Sequence, residues 1–426
     1  MIVKKKDARM GLICLLLGII LFLWTNSFSD SILSSMLRVV SCALFLWCIY
    51  MGRKETFILN PFWLFSLTPL SLLLYNDNVS RIYLQKLTSK TWGLAILNII
   101  AFSMTLFISL KIMRRKKGIV ANEQPDKIAC LKQNSVIMMG ISFIPVLYRM
   151  LFGKVMMFTS VISLCVYVSI IMGIKTKEKR WIIGILLIAA LRFLFAFNKT
   201  ELIFFLIVIV TGIEKYYELS SKSKIKILFG LGVSALFMLF VAFPLKTYVQ
   251  DNGGNIVDFF TKNVKVVYDY GQRIDWSGPE VLKMPYMYLV TAWNNVQYVL
   301  ETQNTRTYGL WFVKPILGYF QLSGLFDSLY ELKPYSSFNT YTYITVLFKD
   351  FGYFGSAIGS FFLGWFVAKM YYWYTVSQDS WKVSCYSLTA IAVFEMFFSN
   401  HFFGLSYPFT IVLLYFVFEK CFRVKG

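Results

Sequence analysis

Apolar runs of about 18 to 22 residues recur along this chain, separated by short clusters of Lys and Arg. A helix of that length crosses the ~30 Å hydrocarbon core of a bilayer, and runs so long and so frequent do not fit a water-facing fold. Composition agrees, since 57% of the 426 residues are hydrophobic, 18% aromatic and only 15% charged. Several soluble domains could not be covered with so little polar surface. A mean hydropathy of +0.61 excludes disordered, coiled-coil and collagen-like chains. The predicted class is an all-α polytopic membrane protein.

The apolar passages fall near 10–25, 32–51, 57–75, 91–113, 134–152, 154–174, 181–197, 200–214, 226–244, 340–375, 383–399 and 404–419, about twelve transmembrane helices. Alternate connections divide unequally in basic residues. One set, with Lys4, Arg9, Arg53, Lys54, the 111–132 cluster, 175–180, 215–226, Lys382 and the tail, holds 25 Lys+Arg, and the opposite short loops hold six. Short Lys/Arg-rich loops remain cytoplasmic, so both termini are expected in the cytoplasm. The first run follows Lys4-Lys5-Lys6 like a signal-peptide core, but no small-residue cleavage site follows Trp24, and an uncleaved first span is expected.

Three regions result: membrane helices in 1–244, a large exterior loop in 245–338, and membrane helices in 339–426. The loop carries eight basic and eight acidic residues, so the formal charge of +21 belongs to the membrane part. There it sets topology and meets anionic lipid, which makes nucleic acid an unexpected partner. Within the loop, 284–300 and 310–326 are too short and too polar to span, and are expected as interfacial or re-entrant helices roofing a cavity. The seven cysteines lie in spans or at the cytoplasmic side, with no CxxC spacing.

Charges inside apolar passages cost at least ~2.5 kcal/mol at mid-membrane, so Arg38, Arg192, Glu201, Lys349, Asp350 and Glu395 are expected to face a cavity or one another. Arg192 and Lys199 flank the exterior turn between the seventh and eighth spans, as site cations or as a polar hairpin cap. The passage 339–375 stays apolar for about 37 residues, too long for one crossing, and Lys349-Asp350-Phe351-Gly352 is its natural break. Asp350 has two readings. It caps the following span, or it belongs to a site, because broken helices at membrane depth line protein or water-filled cavities.

The exterior loop holds ten Tyr, three Trp and two Arg, Arg273 and Arg306. Aromatic faces suit sugar rings and guanidinium forks suit pyrophosphate oxygens, although Tyr and Trp also gather at every membrane interface. His401, the one histidine, sits in a turn before the last span, on the surface or as an acid, base or cation beside phosphate. No Asp-x-Asp pair, His/Glu metal spacing or Ser-His-Asp order is visible, so no metal or cofactor is expected.

Thr307-Tyr308-Gly309-Leu310-Trp311-Phe312-Val313-Lys314-Pro315, then Phe338-Asn339-Thr340-Tyr341-Thr342 and Phe348-Lys349-Asp350-Phe351-Gly352-Tyr353-Phe354-Gly355, resemble the Wzy-type oligosaccharide repeat-unit polymerases of bacterial O-antigen and capsule synthesis. The topology is similar over the whole chain, the motifs only over about 305–360. An Arg-x10-Gly pattern described for some members is absent: Arg306 and Gly318 are separated by eleven residues, and position 284 is Met. The resemblance implies a membrane fold similar to GT-C-like glycan polymerases and ligases in the bacterial inner membrane. It also implies a glycosyltransferase acting on undecaprenyl-pyrophosphate-linked oligosaccharide at the periplasmic face, with a chain-length regulator and a flippase as partners. In that light Arg273, Arg306, Arg192 and Lys199 bind pyrophosphate, and Tyr308, Asn339 and Thr340 contact substrate. Asp350, His401 and Arg306 are the catalytic candidates. An O-antigen ligase differs from this only in its acceptor. A flippase of lipid-linked sugars would need no 94-residue exterior segment and shows pseudo-symmetric halves in many transporters, which are not visible here.

Overall fold

The computed structural model of the chain describes residues 32–76, 84–115, 128–153, 162–196, 199–237, 280–302, 306–310, 317, 340–397 and 406–416. Among these every regular element is a helix. In chain order they are α1 (Ile32–Arg53), α2 (Pro61–Phe65), α3 (Leu67–Leu73), α4 (Ser89–Arg115), α5 (Ile128–Phe152), α6 (Cys165–Lys175) and α7 (Lys179–Ala196). Then follow α8 (Lys199–Tyr216), α9 (Ser221–Phe237), α10 (Glu280–Thr302), α11 (Tyr343–Val376), α12 (Ser380–Glu395) and α13 (Ser406–Phe416).

Four are long and apolar enough to cross a membrane: Ser35–Arg53 of α1, and the whole of α4, α5 and α11. Their outward faces carry large apolar side chains at helical spacing, such as Ile100, Met104, Ile108 and Ile112 on α4 and Phe354, Ile358, Phe362 and Trp365 on α11. Stripes of that kind would aggregate in water and suit hydrocarbon, so the protein is an all-α membrane protein. Of the expected passages, 10–25 lies outside the described residues, and 57–75 is two short helices, α2 and α3.

The interior inverts the usual pattern by collecting small and polar residues. The largest interface joins α4 to α11. There Ser356, Ser360 and Gly364 line up every fourth residue, all buried. Asn98 donates to Ser356 Oγ at 3.0 Å and accepts from Ser360 Oγ at 2.6 Å. At Gly364 a Cβ would lie 2.5 Å from the Phe102 carbonyl, so only glycine allows the two backbones this close. Of the charges expected to turn inward, Arg38, Arg192, Lys349, Asp350 and Glu395 are buried, and the side chain of Glu201 lies outside the described residues.

At the end of the bundle where Arg53, Arg114, Lys175 and Lys215 lie in last turns, cations close helix C-termini. Lys215 Nζ donates to the Tyr374 carbonyl and Lys175 Nζ to that of Gln378. Such contacts satisfy orphan carbonyls and complement the helix dipole. Arg114 forms a two-pronged pair with Glu55 at 3.0 and 2.6 Å, and the Tyr371 hydroxyl donates to the same carboxylate at 2.9 Å.

The segment 284–300, expected as an interfacial or re-entrant helix, falls within α10, which is not among the four helices long and apolar enough to span. α10 is 23 residues long and sits inside the bundle, with residues 290–297 all buried. Its polar side chains find partners that its own sequence does not show. Asn294 Oδ1 accepts from the Gln85 N–H at 2.8 Å, and Gln297 bridges Lys86 O and the Thr88 N–H at 2.7 Å each. Trp293 Nε1 donates to Ser71 Oγ at 2.9 Å, and Asn295 Nδ2 to Thr340 O at 2.7 Å. Buried amides are tolerable only with such partners. Of 310–326, only Leu310 and Leu317 are described.

Candidate functional site at the break in α11

The expected break occurs. Gly352 interrupts α11 at φ 73°, ψ −165°, a conformation open essentially to glycine alone. A helical N–H at residue i bonds the carbonyl at i−4, so a break at 352 strips partners from the carbonyls of 348, 349 and 350. The segment 306–308 supplies replacements in order. Arg306 Nη1 donates to Phe348 O at 3.3 Å, the Thr307 N–H to Lys349 O at 3.3 Å, and the Tyr308 N–H to Asp350 O at 3.1 Å. The first half of α11 is thus capped in trans, with a cation at its negative end.

Side chains reinforce the cap. Thr307 Oγ1 donates to Asp350 Oδ1 at 2.5 Å, with both residues buried. The Arg306 guanidinium lies 4.3 Å from the Phe348 ring centroid, and its Nε is 3.3 Å from where a Cβ on residue 352 would stand. Lys349 is also buried and feels the charges of both Arg306 and Asp350. Two cations and one carboxylate therefore meet at the break, an arrangement with net positive charge.

The loop then turns sharply. Tyr308 and Gly309 both have positive φ, 48° and 89°, and the Leu310 N–H returns to Thr307 O at 2.9 Å, the signature of a type I′ turn. A tyrosine in that conformation is strained by roughly 1 kcal/mol or more. The turn leaves its ring 83% exposed, and on α11 Phe351 and Phe354 are 47% and 78% exposed. Gly309 packs close to the Phe351 ring. Exposed aromatic faces thus lie next to an anchored guanidinium.

The cap reading of Asp350 is corrected, because it lies in the last turn before the break and not at the start of the following half-helix. Thr340 is buried ahead of α11, bonding Thr291 Oγ1 at 3.1 Å and Asn295, and so ties α10 to the entrance of α11. Tyr341 is half-buried, and burial pushes its phenol above the ordinary range. Arg192 is placed elsewhere. It is 1% exposed on α7, and its Nε donates to Ser142 O on α5 at 3.0 Å. That carbonyl neighbours the gap left in the helical ladder by Pro145. The structure therefore joins Arg306 and Asp350 at the break with Tyr308 in the adjoining turn, ties Thr340 to α10 at the entrance of α11, and seats Arg192 against α5.

Arg273, Asn339 and His401 lie outside the described residues, as does the side chain of Lys199. Among the described residues no group of three His, Cys, Asp or Glu side chains is placed to hold a metal. Sequence reading missed Thr307 and Phe348 as parts of the site. The one available signal was the Thr-Tyr-Gly triplet, a turn motif whose partner carbonyls only the broken helix reveals. No protein-family model, curated protein or solved structure matches this chain.

Proposed function

We propose that the chain polymerises undecaprenyl-pyrophosphate-linked oligosaccharide repeat units at the outer face of a bacterial inner membrane, within a twelve-span topology whose 245–338 segment is periplasmic. The observation that carries this reading is the trans cap at Gly352, which fixes the Arg306 guanidinium beside an outward-facing Tyr308. In the proposed reaction the bond from the donor's anomeric carbon to its pyrophosphate oxygen breaks. A new bond forms to a hydroxyl at the non-reducing end of the acceptor unit, that hydroxyl's proton is released, and the lipid pyrophosphate departs. A planar cation facing the leaving pyrophosphate stabilises the charge that develops there, and aromatic faces hold the sugars. Asp350 acts as a positioning residue that fixes Thr307, and through it the loop bearing Arg306.

The test is reconstitution of the purified full chain with purified lipid-linked repeat units. A ladder of glycan lengths is expected. A single product on a lipid A core acceptor would make the protein a ligase, and movement of the lipid without bond formation would make it a flippase. Arg306→Ala is expected to lower polymer yield at least about a hundredfold at unchanged membrane abundance. Arg306→Lys should recover little, because an ammonium does not reproduce the fork.

A further inference from the structure

A cavity of about 300 Å³ opens at the basic end of the bundle, between α1, α2 and the last turns of α4. Its composition is divided. Met51, Phe62, Phe107 and Leu110 make an apolar wall, and Lys111, Arg114 and Arg115 a cationic rim. The one carboxylate in the lining, Glu55, is 5% exposed in its side chain and already engaged by both Arg114 and Tyr371. Three cations against one carboxylate leave the lining at +2, with Lys111 and Arg115 lacking an acidic partner within it.

We propose that this cavity binds the headgroup of an anionic glycerophospholipid from the surrounding leaflet. Lys111 and Arg115 receive the phosphodiester, and the first acyl methylenes lie on Phe107 and Leu110. Three features favour a lipid over a soluble anion. Half of the lining side chains are apolar, which a free phosphate would not use. Lys111 stands next to Ile112, the last member of the exposed stripe Ile100, Met104, Ile108 and Ile112, so an acyl chain leaving the cavity continues along a hydrocarbon-facing helix. Lys111 Nζ also lies 5.9 Å from the Phe107 ring centroid, so charge and apolar surface meet at one depth, as the glycerol region of a lipid requires. The paired Glu55 and Arg114 form a neutral floor, and Tyr371 links that floor to α11.

The full chain is reconstituted in nanodiscs of phosphatidylcholine containing a minor fraction of phosphatidylglycerol, and the lipids it retains are counted by native mass spectrometry. The proposal requires preferential retention of phosphatidylglycerol and a loss of that preference of about thirtyfold in the double variant Lys111→Gln/Arg115→Gln. The pair Lys222→Gln/Lys226→Gln, on exposed positions of α9, must leave the preference unchanged. Equal retention of both lipids, or a double variant as selective as the parent, overturns the proposal. So does full reproduction by inorganic phosphate, in pure phosphatidylcholine, of the thermal stabilisation given by phosphatidylglycerol, since the ligand would then be a soluble anion.

Discussion

Gly352 is the residue on which the candidate site turns. Any side chain there meets two penalties: a backbone conformation costing roughly 1–3 kcal/mol outside glycine, and a Cβ 3.3 Å from Arg306 Nε. Gly352→Ala is therefore expected to lower stability by about that amount and to displace Arg306, measured as an earlier thermal melt in detergent together with lost polymer. Gly140→Ala serves as the contrast. No neighbouring atom approaches its added Cβ, so in mid-helix α5 it should be neutral or stabilising by up to about 1 kcal/mol. Equal effects of the two substitutions would remove the special standing of the break. Asp350 belongs to the same scale. Asp350→Asn can still accept the Thr307 hydroxyl, so abundance should hold, while loss of the negative charge beside Lys349 and Arg306 should depress turnover. Thr307→Val does the reverse. It keeps the charge but deprives a buried carboxylate oxygen of its donor, at a cost of about 1–3 kcal/mol in stability.

Between elements, the seam of α4 with α11 depends on the absence of side-chain bulk. Gly364→Ala places a carbon 2.5 Å from the Phe102 carbonyl, which cannot yield without moving α4, and a loss of about 1–3 kcal/mol is expected in a melting experiment. A melt unchanged from the parent would mean that α4 and α11 do not pack this closely. How far such features were legible in the sequence depended on where their causes lay. The break in α11 was legible, because an apolar passage of about 37 residues exceeds any single crossing and a glycine marked the place. The inward turn of Arg38, Arg192 and Lys349 was legible from the cost of charge in hydrocarbon. The buried seat of α10 was not legible, because Asn294, Asn295 and Gln297 made it look polar. Their satisfaction comes from backbone groups at 85–88 and 340, distant in the chain and without any motif of their own. The partner of Arg192 on α5 was not legible for a similar reason. Its carbonyl partner is set by packing between α7 and α5, which the spacing of 192 and 199 does not encode.

Over the whole molecule, cations gather at one end of the bundle and the break in α11 faces the other, a polarity that carries a topological expectation. Reporter fusions after Lys117, Arg180 and Lys224 should report cytoplasm, and fusions near Gly254 and Thr305 periplasm, because the Lys/Arg-rich connections are held back during insertion. A cytoplasmic signal at Thr305 would put Arg306 in the compartment opposite to the lipid-linked substrate and remove the proposed activity. The burial of α10 bears on the order of events in biogenesis. Its buried amides find their partners on 85–88 and at Thr340. A helix with so many amides partitions poorly into bare lipid while those partners are missing. The earlier helices can enter the bilayer one by one as they leave the ribosome. α10 has to wait at the interface until the N-terminal bundle offers 85–88 and the arriving segment at 340 completes its seat, so its docking follows the insertion of the helices that precede it.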